Sequence, residues 1–308
     1  MKKILVTGGA GFIGSAIIKV LQKADHQIFV IDNLSFGNRD FISIPDSHFF
    51  AVDILDSSAI QKIIKTIAPD WVIHLAAVHF IPYCNSHPFE ASNVNLRGTL
   101  NVLEALKETK PEKILFASTA AVYPISQKTF CESDPAEPVD IYGLSKYIGE
   151  QMMHKFYLET SLPTLVCRFS NAIGPNETNP HLFPEILTQI HSGKRTLYLG
   201  NLSPKRDYIH VFDIAEAVYS LMLQCNKGYE TVNIGSGATY SVAEIVSAFE
   251  KVLGEKITVE IDPAKVRKAE RMNLAVDISK LSSLLHRKPS YTLEASIAEI
   301  LKHEEQKI

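Results

Sequence analysis

Gly8-Gly9-Ala10-Gly11-Phe12-Ile13-Gly14 is the stretch whose reading decides the fold. It directly follows a short β-branched run, Lys3 to Val6, and opens an amphipathic stretch that runs from Ser15 to Ala24. Glycines between a strand and a helix permit a tight turn and let the backbone approach a pyrophosphate, which the free N–H groups of the helix start then hold. A glycine-rich turn alone is a weak signal, and its context strengthens it: the next strand, Ile28 to Ile31, ends at Asp32. An acid in that place bonds the adenosine ribose hydroxyls and repels a 2′-phosphate, which favours NAD over NADP. Arg39 follows a few residues later and is a cation that offsets this preference. Gly8, Gly11, Phe12, Ile13 and Gly14, with Asp32 and its neighbour Asn33, are the first expected cofactor contacts.

Outward from this turn, short buried-strand patterns alternate with helical ones. Trp71 to His74, Ile114 to Ala117 and Thr164 to Cys167 read as strands, and Ser57 to Ile67 and Glu90 to Thr109 as helices. Such alternation implies βαβ units and a parallel sheet covered on both faces. The expected fold is α/β: a Rossmann-type doubly wound parallel sheet with a smaller C-terminal α/β substrate-binding lobe. The turn-rich joint Gly174-Pro175-Asn176-Glu177-Thr178-Asn179-Pro180 divides residues 1–174 from 175–308. Part of 211–240 is expected to return to the first sheet. Beyond the joint, helices are expected over Phe183 to His191, Val211 to Gln224 and Val242 to Val252, and from Leu293 onward. Thr196 to Leu199, Thr231 to Ile234 and Ile257 to Glu260 read as strands.

The bulk properties exclude several classes. With 308 residues, 46% hydrophobic and 21% charged, the chain has the composition of a globular protein. A net charge of -3 without charge blocks gives no bulk attraction to nucleic acid or membrane, so an anionic ligand needs a few placed cations. Cys84, Cys131, Cys167 and Cys225 show no metal-ligand spacing and read as reduced thiols of a cytoplasmic protein. No apolar run approaches the ~18 residues of a membrane span. Glycines interrupt the N-terminal apolar run before a signal-peptide core forms. No metal site is expected.

Tyr142-Gly143-Leu144-Ser145-Lys146 begins a further helix. Residues four apart share a helical face, so the phenol and the ammonium project together. A free tyrosine, with a pKa of about 10, is a poor base at neutral pH. A lysine cation and a positive nicotinamide ring stabilise its phenolate. Ser118 and Thr119 run off the end of a strand, the edge at which open α/β sheets bind ligands.

With these residues in order, the chain resembles the extended short-chain dehydrogenase/reductases, specifically the nucleotide-sugar epimerases and dehydratases. TGGAGFIG, Asp53-Ile54, His74-Leu75-Ala76-Ala77, Asn95 in NVNLRGT, the Thr119 segment and YGLSK stand in family order. The resemblance implies that Asp53 and Ile54 meet the adenine, that Leu75, Ala76 and Ala77 line the pyrophosphate and ribose, and that Lys146 bonds the nicotinamide ribose. Ser118 joins this cofactor set, and Asn95 braces the active site. Arg206 in RDYIHVFD and Arg267 match two arginines that bind the substrate diphosphate, and Asn171 matches a sugar-nucleotide contact. Bidentate guanidinium forks suit that task. His181 stands where many epimerases have an asparagine. His79, in the loop where sugar or nicotinamide sits, either contacts substrate or packs over the cofactor. His74 and His210 read as structural.

Within the family, absences select the chemistry. Dehydratases carry an Asp-Glu pair just after the catalytic threonine, decarboxylases a glutamate and GDP-sugar epimerase/reductases a cysteine. Here those positions hold Ala120 and Ala121, which transfer no protons. NAD with Tyr142, Lys146 and Thr119 suffices for reversible oxidation at sugar C4. The expectation is a nucleotide-sugar 4-epimerase, with UDP-hexoses or their derivatives favoured. A 4-ketoreductase on the same scaffold and a non-catalytic NAD-binding regulator are the alternatives. By resemblance the protein forms a homodimer through the helices of Glu90 to Thr109 and Tyr142 to Glu159.

Overall fold

The computed structural model describes residues 1–266, 271–286 and 288–306. The first half runs β1 (Lys3–Thr7), α1 (Phe12–Leu21), β2 (Gln27–Ile31), β3 (Phe49–Phe50), α2 (Ser57–Ile67), β4 (Trp71–His74), α3 (Ile81–Ser86), α4 (Pro88–Ser92), α5 (Thr99–Thr109), β5 (Lys113–Thr119), β6 (Thr129–Phe130) and α6 (Ile141–Thr160). Then follow β7 (Thr164–Phe169), β8 (Asn171–Ile173), α7 (Leu182–His191), β9 (Thr196–Leu199), β10 (Lys205–His210), α8 (Val211–Gln224), β11 (Tyr229–Ile234), β12 (Thr239–Ser241), α9 (Val242–Leu253), β13 (Thr258–Ile261), β14 (Asn273–Val276), α10 (Ser279–Leu285) and α11 (Leu293–Glu305).

A seven-stranded sheet has the order β11-β7-β5-β4-β1-β2-β3, and every pairing in it is parallel. Strand order reverses between β1 and β4, which opens a crevice at their C-terminal ends. Both faces are covered. On one, Ile17, Ile18 and Leu21 of α1 share a core with Ala215, Val218 and Leu221 of α8. On the other, Ile60 and Ile64 of α2 pack with Val102 and Leu106 of α5 and Met153 of α6. Each such aliphatic side chain, fully buried, contributes roughly 1.5–3 kcal/mol. Local chemistry sets the helix ends. Asp56 caps α2 by accepting the Ala59 N–H at 3.0 Å, and Ala68 leaves the helix at φ 45° before Pro69.

The remaining strands build a five-stranded sheet, β12-β10-β14-β6 with β8 also on β10, and a β9–β13 pair. Phe183, Ile186, Leu197, Phe249 and Ile297 fill a separate core in this region.

Two differences from the sequence reading matter for the site. Glu90 to Thr109 is not one helix, because α4 and α5 flank a π-helical segment, Asn93–Gly98. The wider turn carries the Asn95 side chain inward, and Gly98 admits Ile54, whose Cδ1 would lie 2.4 Å from any Cβ there. Lys205–His210, read as a motif without secondary structure, is the hub strand β10. Its burial follows a strand's alternation, and its partners β8, β12 and β14 are distant in sequence.

Candidate active site

The glycine turn sits in the crevice between β1 and β4. Gly8 has φ 72°, and a Cβ on it would lie 2.7 Å from the Ala76 nitrogen. A Cβ on Gly14 would strike the Gly8 carbonyl oxygen at 2.3 Å, so α1 approaches the turn only because both residues are glycine. Gly11 is the helix N-cap and has no side chain to cap the first-turn amides. A Cβ on Gly11 would meet only the Gly8 oxygen, at 3.3 Å, and otherwise open space. The start of α1 at Phe12, Ile13 and Gly14 is thus open and uncapped, the arrangement by which helix N-termini hold phosphates. Leu75 to Ala77 form the facing wall, with the Leu75 N–H donating to the Thr7 carbonyl at 3.0 Å.

Asp32, at the end of β2, is buried and accepts the Ala10 N–H at 2.9 Å and the Leu34 N–H at 2.8 Å. Burial raises its pKa, and these two bonds oppose the shift. Asn33, next to Asp32, donates to Asp53 at 2.8 Å. Arg39 does not offset Asp32. Its guanidinium donates to the Ile42 and Ile44 carbonyls and to Asp46, and it stacks on Phe49.

Thr119, Tyr142 and Lys146 come together where β5 meets α6. Asp140 caps α6 by accepting the Gly143 N–H at 2.8 Å, and Gly143 packs so closely on the Ala121 carbonyl that a Cβ would lie 2.6 Å from it. This brings the Tyr142 phenol beside Thr119. Burial pushes the Tyr142 pKa up, and the Thr119 hydroxyl opposes the shift. Lys146, one turn on, is buried with its ammonium 4.7 Å from the Phe116 ring centroid. Burial lowers its pKa to about 7, with Cys84 and Glu150 opposing. Asn95 ties these parts together: it accepts the Val78 N–H at 2.8 Å and donates to the Val78 carbonyl and to Ser145 Oγ, each at 2.9 Å. His74 is a satisfied core histidine between Thr7 and Thr99, with its pKa lowered to about 3 chiefly by burial.

Over residues 4–235 the chain matches the family model described as the NAD dependent epimerase/dehydratase family. The chain belongs to that family. It is 32% identical over 308 residues to a UDP-glucose 4-epimerase of Lacticaseibacillus casei, covering 94% of this chain and 92% of that one. The solved UDP-glucose 4-epimerase of Thermotoga maritima with UDP-glucose superposes with a TM-score of 0.90 at 26% identity, covering 99% of both chains. The Thermus thermophilus UDP-glucose 4-epimerase in complex with NAD gives 0.89 at 28% identity, covering 99% of this chain and 100% of that one. The cofactor of this epimerase/dehydratase is NAD, and the open face at Gly11 together with the acid at Asp32 fits it.

Ser118 turns its hydroxyl away from the glycine turn. Phe116 and Ser118, two apart on β5, share the face against α6. Ser118 is 1% exposed, and its hydroxyl donates to Glu150 at 2.5 Å. Glu150 also takes a bidentate bond from Arg168 at 2.9 and 2.7 Å, and Arg168 continues to the Tyr123 hydroxyl at 3.0 Å. This buried network was not read from the sequence, although Glu150 follows Lys146 by one turn on the same helix face.

On the substrate side, Arg206 lies on β10 opposite Leu274 of β14 and donates to the Lys205 carbonyl at 2.9 Å. Asn171 of β8 donates to the Asp207 carbonyl at 3.1 Å and so fastens β8 to β10. His79 accepts the Asn179 amide at 2.9 Å, and burial first and His181 second lower its pKa to about 4. His79 therefore joins the β4–α3 loop to the joint at 174–180. His181 pairs with Glu177 at 2.5 Å. Arg267 lies outside the described residues.

Proposed function

We propose that the protein is an NAD-dependent nucleotide-sugar 4-epimerase acting on a UDP-hexose or a close derivative. The neighbouring Tyr142 and Thr119 hydroxyls beside Lys146, with Ala120 and Ala121 next to them, carry this reading. Relatives and solved neighbours named UDP-glucose 4-epimerases support it. Bound NAD supplies the acceptor, and later the donor, of the hydride at sugar C4. Tyr142 takes the O4 proton as C4 is oxidised and returns it when the carbonyl is reduced. Burial alone opposes a phenolate, so the base depends on nearby positive charge, which Lys146 and the oxidised nicotinamide provide. Thr119 Oγ1 holds O4 in line with the phenol. Ala120 and Ala121 neither protonate nor deprotonate the 4-keto sugar, so the path leads back to C4 on either face.

The remaining assignments are part of the same proposal. Residues 1–174 mainly hold the cofactor through the glycine turn, Asp32, Asn33, Asp53, Ile54 and Leu75 to Ala77. Residues 175–308 mainly cap the nucleotide sugar, with Arg206, Arg267 and Asn171 toward its phosphates and sugar and with His79 and His181 at the rim. The protein works as a homodimer in the cytoplasm. Exposed Leu100 on α5 with Leu144 and Ile148 on α6 supports the dimer. No helix among the described residues is long and apolar enough to cross a membrane.

The test is purified protein with UDP-glucose and no added reduced cofactor, followed by NMR of the C4 proton. Conversion to an equilibrium mixture of C4 epimers is expected, and Tyr142→Phe should abolish it. Turnover only when NADH is consumed in proportion would replace the epimerase by a ketoreductase.

A further inference from the structure

Arg271 stands immediately before β14 and was not singled out by any motif. Its Nη2 approaches the Ala121 carbonyl at 3.5 Å, too long and weak to satisfy the group, and its Nη1 is buried without a hydrogen-bond partner. Among the described residues no carboxylate lies within ion-pair distance of it. Asp140, whose charge it senses, is already engaged in capping α6 through the Gly143 N–H. The Nη1 end of this half-buried guanidinium has lost hydration without a compensating anion, at a cost that proteins normally offset by pairing.

Its position says which anion is missing. Ala121 is two residues beyond Thr119, whose hydroxyl accepts the Ala121 N–H at 3.1 Å and lies beside Tyr142. In a pyranose whose O4 lies on Thr119 and Tyr142, the diphosphate leaves C1 on the opposite side of the ring. A group beside the Thr119–Ala121 turn therefore faces the substituents on the neighbours of C4. We propose that Arg271 is a specificity-determining residue that binds a carboxylate on the substrate sugar, carried either at C6 or on a C3 substituent. This rests on the 4-epimerase reading and narrows its substrate class to acidic sugars. A guanidinium fork matches a carboxylate with two parallel charge-assisted bonds, which a hydroxymethyl group cannot replace.

The experiment compares two acidic probes with their neutral counterparts in the full-length protein: UDP-glucuronate against UDP-glucose, and UDP-N-acetylmuramate against UDP-N-acetylglucosamine. C4 epimerisation and ligand-induced thermal stabilisation are both measured. One acidic probe should exceed its neutral counterpart in kcat/KM by about tenfold or more, and which one does so assigns the carboxylate to C6 or C3. Arg271→Gln should cut that acid-to-neutral ratio roughly 30-fold and remove the extra thermal shift, with Arg271→Lys between. A wild-type protein that epimerises the neutral sugars without favouring either acid overturns the proposal and leaves the epimerase reading standing. An equal loss on both members of a pair in Arg271→Gln also overturns it, because that marks a brace of the Ala121 turn. Absence of turnover with all four sugars overturns the epimerase reading and this inference together. Should Arg271→Gln not fold, the wild-type preference and Arg271→Lys decide.

Discussion

Behind β5, Arg168 and Glu150 are buried as a bidentate pair, with Ser118 and Tyr123 completing their hydrogen bonds. A few residues away, at the open end of the same strand, Lys146 and Arg271 are desolvated cations with no such match: one lies over an aromatic ring, and the other has an orphaned nitrogen. Both regions bury charge, but only the first repays it within the chain. The difference separates scaffold from site. Where the protein compensates its own charges it fixes geometry, and where it leaves cations uncompensated a ligand is the missing partner.

The most severe way to break this contrast is Tyr142→Phe, which removes the phenol proposed to move the O4 proton. Activity should fall at least ~1,000-fold, within the roughly 100- to 10,000-fold range of general acid–base effects, with the fold and NAD retention intact by circular dichroism and cofactor absorbance. Arg168→Met tests the other side, because it leaves Glu150 buried without a cation. It should cost about 3–5 kcal/mol in denaturant unfolding, and adding Glu150→Leu should recover much of that loss.

Lys146 sharpens the comparison through pH. Its folded pKa of about 7 lies below the ordinary lysine value of 10.5, so between these limits the unfolded chain binds the extra proton. The cofactor-free protein should therefore gain stability as pH rises from 7 toward 10.5, relative to Lys146→Met, by up to about 1.4 kcal/mol per unit. A flat difference across that range would mean that Lys146 keeps its proton in the folded state. The smallest effect is expected for Arg39→Ala. Because Arg39 is spent on Ile42, Ile44 and Asp46, the ratio of NAD to NADP affinity should change less than about threefold, whereas Asp32→Ala should relax it strongly.

What the sequence disclosed follows the range of the interactions involved. Asp56 capping α2, the glycine turn and the Tyr142–Lys146 spacing are local, and each was legible from a few neighbouring residues. The hub strand β10 was not, because its strand character depends on β8, β12 and β14. Which face the Ser118 hydroxyl takes was not legible, because a hydroxyl at a strand end looks alike on either face and only the packing of α6 chooses. Arg271 resembles any surface arginine until the Ala121 carbonyl is seen beside it.

Strand β10 has one more consequence. It runs without a break into α8, which covers α1, and the chain then closes the edge of β7 with β11. The polypeptide that carries Arg206 is thus the same one that seals the back of the cofactor sheet. A gene cut at the joint near residue 174 would not yield two workable halves. The first would display a naked strand edge and an uncovered helix face, and the second would carry a helix and a strand with nothing to dock on. Fission or domain shuffling at that point is closed to this chain, and libraries that recombine its lobes should place their crossovers elsewhere.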